Sequence, residues 1–96
     1  MIFLRVDNLE DFIYLLDRRV GDEVYIEIDS GNDEFSKTKK ICLSFFGKID
    51  QLMVLHQIIL ETKKPADEIK KGLLETFNKY KVRLIEGRIR EIMLSL

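Results

Sequence analysis

The sequence predicts a small α+β fold: an antiparallel or mixed sheet with helices on one of its faces, formed by a single domain over residues 1–96. Three observations predict it. Short stretches at MIFLRV and DEVYIEID alternate with the two-residue period of half-buried strands. Longer stretches at DNLEDFIYLLDRRVG and ADEIKKGLLETFNKY place apolar residues three and four apart, as one helix face requires. With 46% hydrophobic and 34% charged residues in 96 positions, the chain is globular and can fill one core.

The first strand is MIFLRV, with Ile2, Leu4 and Val6 to one side and Phe3 and Arg5 to the other. A helix follows. Asp7 and Glu10 have the spacing of a capping box, and Leu9, Phe12, Ile13, Leu16 and Val20 form the apolar stripe. Arg18 and Arg19 suit the negative end of the helix dipole, and Gly21 suits the left-handed residue that ends it. DEVYIEID is the second strand, with Val24, Ile26 and Ile28 inward and Tyr25, Glu27 and Asp29 outward. SGND, at 30–33, is a turn signal.

ICLSFF is a third strand with bulk on both faces: Ile41, Leu43 and Phe45 on one, Cys42 and Phe46 on the other. Such a strand is covered twice, and the second cover is expected from a partner chain. KIDQLMVLHQIILETKK reads as a helix, with Ile49, Leu52, Met53, His56, Ile59 and Leu60 on one face and Val54, Leu55 and Ile58 around its sides. Pro65 opens the next helix, striped by Ile69, Leu73, Phe77 and Tyr80. The order β-α-β-β-α-α, closed by a last strand, is similar to the ferredoxin-like plan, a fold that carries no single function.

The tail KYKVRLIEGRIREIMLSL admits two readings. As a helix it would gather Val82, Ile85, Ile89, Ile92, Met93 and Leu96 in one arc. At about 100° per residue that arc lies roughly 150° from the stripe of the preceding helix, so the chain must break near 79–82. VRLIE is rich in strand formers, and Gly87 interrupts it as a bulge or turn would. The topology calls for a strand over 82–86 and leaves 88–96 open between strand and helix.

Candidate sites are sparse. The single histidine, His56, lacks a neighbouring acid or nucleophile in sequence and is read as packed or at an interface. The single cysteine, Cys42, forbids an intrachain disulfide and a zinc cluster and is read as a small buried hydrophobe in a reducing compartment. DSGNDE gathers Asp29, Asp33 and Glu34 without the spacing of a calcium loop. No catalytic, cofactor-binding or metal-ligating set emerges, so the expectation is a non-catalytic protein without cofactors.

A net charge of −1 excludes a basic field over the whole molecule. A local patch for nucleic acid would combine Lys79, Lys81, Arg83, Arg88 and Arg90 with Lys37, Lys39 and Lys40, with Tyr25 and Tyr80 as stacking surfaces. That is the alternative reading. The leading one is a binding or assembly module acting as a homodimer, because the apolar surface exceeds what so short a chain hides. Its expected interface comprises Phe46, Leu52, Leu55, His56, Ile59, Ile92, Leu94 and Leu96. Charges at Arg5, Asp7, Glu10 and Asp11 rule out a signal peptide in MIFLRVDNLEDF, and no stretch is apolar and long enough to span a bilayer. The expected location is cytoplasmic. Scarce Gln and Asn beside abundant Lys, Glu, Arg and Ile point to a thermophile.

Overall fold

The computed structural model describes residues 1–29 and 38–95. The turn expected over 30–33, with Asp33, Glu34, Lys37 and Leu96, lies outside them.

The fold is α+β, with a five-stranded mixed sheet. In chain order the elements are β1 (Ile2–Arg5), α1 (Leu9–Tyr14) with a 3₁₀ turn Leu15–Arg18, β2 (Glu23–Asp29), β3 (Lys39–Ile49), β4 (Leu52–Thr62), α2 (Ala66–Asn78), β5 (Arg83–Glu86) and α3 (Ile89–Leu94). The strands lie in the order β1-β4-β3-β2-β5. β2, β3 and β4 form an antiparallel meander, while β1 runs parallel to β4 and β5 parallel to β2. The ferredoxin-like order is therefore replaced. Each helical crossover, β1-α1-β2 and β4-α2-β5, moves three positions in the same direction across the sheet. Crossovers of one hand and one direction lie on one face, so α1 and α2 share it.

The largest departure from expectation is β4, a strand where the apolar spacing predicts a helix. Asp50 and Gln51 both take left-handed φ values, 49° and 69°, and close a two-residue hairpin between Ile49 and Leu52. The segment looked apolar all round because it is buried on both sides: Val54, His56 and Ile58 face the α1/α2 side, and Leu55 faces the other. A strand covered twice has no polar face to reveal its period.

The first face carries the main core. Phe12 of α1 meets Phe45 of β3 edge-on at 5.0 Å and Phe77 of α2 at 6.2 Å, between Val24, Ile26, Ile41, Leu43, Ile58, Ile69 and Leu73. Asn8 caps α1 in place of the expected Asp7. Its Oδ1 accepts from the Asp11 amide at 2.8 Å, and its Nδ2 donates to the Asp11 carboxylate at 3.1 Å, so the cap sits one residue later and is tied by a side-chain pair. The helix is shorter than expected, so Val20 is exposed, and Gly21 is left-handed at φ 82° as expected.

The tail uses both of its readings in turn. Lys81 breaks the chain at φ 59°, β5 completes the sheet, and α3 follows Gly87. α3 lies on the second face, so the helices do not share one face. Its Ile89, Ile92 and Met93 cover Tyr25, Phe46 and Leu55, with Met53 and Ile85 at the margin. Tyr25, expected outward, is buried there, and the second side of β3 is covered in part by the chain itself.

Candidate interaction surface

Beyond α3 the second face changes character. Ser44 is buried, and the Gln57 side-chain amide donates to its Oγ at 3.2 Å. Cys42 Sγ lies 3.7 Å from the same hydroxyl and 3.8 Å from Gln57 Nε2. A cleft of about 190 Å³ continues this strip between Glu27, Asp29, Lys40, Cys42 and Ile59. The strip pairs neutral polar groups with one another, and charges of both signs line the cleft.

Next to it runs β1, the first edge of the sheet. Its register with β4 pairs Phe3 with Leu55 and Arg5 with Gln57, which turns Phe3 and Arg5 to the second face and Ile2 and Leu4 to the first. Met1, Ile2, Phe3 and Leu4 are exposed by 58, 48, 58 and 37%. Leu52, at the base of β4, is exposed beside them. This is the largest concentration of exposed apolar side chains among the described residues, and it projects from both faces of one strand. The opposite edge differs. β5 begins and ends on charge, with Arg83 bound to Glu23 Oε1 at 2.7 Å and near Asp22 at 3.6 Å, and Glu86 paired with Lys70 at 3.0 Å.

Of the residues expected at an oligomer interface, Phe46, Leu55 and His56 are consumed inside the chain. Ile92 packs inward from α3. Leu52, Ile59 and Leu94 are exposed, and Leu96 lies outside the described residues. The β1 cluster did not figure in that expectation. Its signal was present, since MIFL is apolar at four consecutive positions and so has oil for both faces, but the edge position that leaves it uncovered is a property of the topology.

His56 is a strand residue on the first face, fully buried and stacked on Phe45 at 4.8 Å. Neither ring nitrogen has a hydrogen-bond partner among the described residues. Burial, with a smaller contribution from the Arg18 charge, holds its pKa below the ordinary 6.5. Gly47 makes room for the ring: a Cβ there would come within 2.8 Å of His56 Nε2 and 3.0 Å of the Arg18 carbonyl. Tyr25 donates to the Glu23 carboxylate at 2.5 Å, and burial together with that carboxylate pushes its pKa up to about 12.

The basic residues divide into groups. Arg83 stands level with Glu23, while Lys40 stands level with Asp29 at the other end of β2, about 20 Å away at 3.3 Å per residue. Lys79 and Lys81 precede β5 at the Arg83 end, and Lys39 donates to the Lys64 carbonyl at 3.3 Å. Arg88 lines a cleft with Asp29 and Glu86, and Arg90 is exposed on α3. Lys37 lies outside the described residues.

No protein-family model, curated protein or solved structure matches the chain. The functional reading therefore rests on this geometry. Among the described residues no group of three or more His, Cys, Asp or Glu is placed to hold a metal ion, and no helix is long and apolar enough to cross a membrane.

Proposed function

We propose that the protein is a non-catalytic assembly module that works as a homodimer in the cytoplasm. The observation that carries this reading is the β1 edge: Met1 and the strand residues Ile2, Phe3 and Leu4 are four consecutive exposed apolar side chains that project from both faces of an edge strand. Paired edge strands and the apolar residues beside them form a self-complementary surface of the kind twofold dimers use. Nucleic-acid binding has weaker support, because its basic residues stand at two ends of β2 and Arg83 is already held by acidic neighbours.

Light scattering on the purified chain at micromolar concentration tests the reading. The expected mass is twice the 11.4 kDa of one chain. A mass equal to one chain over that range overturns it, and a mobility shift with RNA or DNA that fades as salt rises would favour the nucleic-acid reading instead.

A further inference from the structure

We infer that two copies join through their β1 strands, antiparallel about a twofold axis normal to the sheet, so that the two five-stranded sheets continue into one. The inference rests on the self-association proposed above and assigns it a surface and a register.

The backbone leaves β1 ready for such pairing. The Val6 amide donates to the Gln57 carbonyl at 2.8 Å. Peptide groups along a strand alternate sides, so Ile2, Leu4 and Val6 turn their amides and carbonyls toward β4. Those of Phe3 and Arg5 point out of the sheet, where no described strand lies beyond them. Edges are ordinarily blunted by lysine, proline, a bulge or a covering element. Ile2–Leu4 has none of these in its sequence, and its side chains are open on both faces. β5, the other edge, carries the ion-paired Arg83 and Glu86.

Side-chain chemistry selects the register. A twofold axis normal to the sheet keeps each face on its own side, so paired residue numbers must add to an even sum. With a sum of ten, Arg5 meets the partner's Arg5, and like charges oppose across the strands. With a sum of six, Arg5 faces the partner's Met1 and gains no complementary group. With a sum of eight, each Arg5 guanidinium lies over the ring of the partner's Phe3 on the second face, a cation–π contact made twice. On the first face Ile2 then meets the partner's Val6, and Leu4 meets the partner's Leu4 on the axis. The occupant that completes this strand is a second copy, because one strand supplies both the ring and the cation in matching positions.

Cysteine cross-linking reads the register. Leu4 turns its peptide groups toward β4, so across the axis it forms a non-hydrogen-bonded pair, with Cα atoms about 4.5 Å apart and within disulfide reach. In a Cys42→Ser background, Leu4→Cys is expected to form a reducible covalent dimer on mild oxidation. It should do so about a hundredfold faster than Leu74→Cys on the exposed side of α2, which reports random collision at micromolar concentration. Phe3→Cys should link much more slowly than Leu4→Cys. Circular dichroism confirms that each variant is folded before oxidation. Faster linking of Phe3→Cys overturns the register. Collision-rate linking by both β1 variants, while the unsubstituted chain keeps a two-chain mass, overturns the β1 interface and leaves the assembly reading standing. A one-chain mass for the unsubstituted chain overturns both.

Discussion

The two faces of the sheet are built from the same strands, alternate residue by alternate residue, yet they finish differently. Phe45 and Phe46 are neighbours in β3. Phe45 lies among Phe12, Phe77 and the aliphatic residues of three strands, beneath two helices tied into the sheet by crossovers. Phe46 lies among Tyr25 and Leu55 beneath α3, a helix of six residues with no buried residue of its own. Further along the same face the cover ends, and Ser44, Cys42 and Gln57 take over, with Phe3 and Ile59 exposed beyond. Stability is concentrated on the first face, and surface available to a partner on the second face and the β1 edge. The difference follows from topology: two crossovers in one direction cover one face, and among the described residues α3 alone covers the other, in part.

The sharpest test truncates the two neighbouring rings. Phe45→Ala is expected to lower the unfolding free energy by about 4 kcal/mol, and Phe46→Ala by about 1 kcal/mol less, because α3 can settle into the vacated space while the first face is held rigid. Urea unfolding of both variants measures this, and equal losses would mean that the faces are equally well packed.

Acid should act on the first face through His56. Burial lowers its folded pKa below the unfolded 6.5, so the fold prefers the neutral ring. Below pH 6.5 the unfolded chain gains a proton that the folded chain resists. Stability contributed by the neutral ring is therefore present above about pH 6.5 and is lost as pH falls toward the folded pKa, with a slope of at most about 1.4 kcal/mol per pH unit. Denaturation midpoints followed across this range, for the native chain and for His56→Leu, isolate the effect. A difference between the two that does not change with pH would remove His56 from the account.

The smallest effect belongs to the cover of the second face. Ile92 is partly buried, and Ile92→Ala should cost about 1 kcal/mol. It should also raise hydrogen exchange at Phe46 and Leu55 before the first face responds. A loss as large as that of Phe45→Ala would show that the two covers act as one cooperative unit.

Much of this was legible from residue patterns, wherever one side of an element is wet. β2, with Val24 and Ile26 buried, and α2, with Ile69, Leu73 and Phe77 inward behind Pro65, appear as their periods predict. So does the break before Val82, because two stripes on opposite sides of one helix cannot both be buried. β4 was not legible, since burial on both faces erases the polar residues that mark a period. The burial of Tyr25 and the strand setting of Leu55 and His56 were not legible either, because each depends on which element arrives from elsewhere in the chain.

Alone, then, the sequence determined the composition class, the alternation of β2, the stripe of α2 and the oil in MIFL, all of which rest on contacts and periods within a few residues. Tertiary structure alone decided that the chain between Asp50 and Gln51 turns back as a hairpin, that α3 takes the second face, and that β1 lies at the edge with its apolar side chains uncovered. Strand order is set by pairings between residues far apart in the chain, and no local period records which strand will be left without a neighbour.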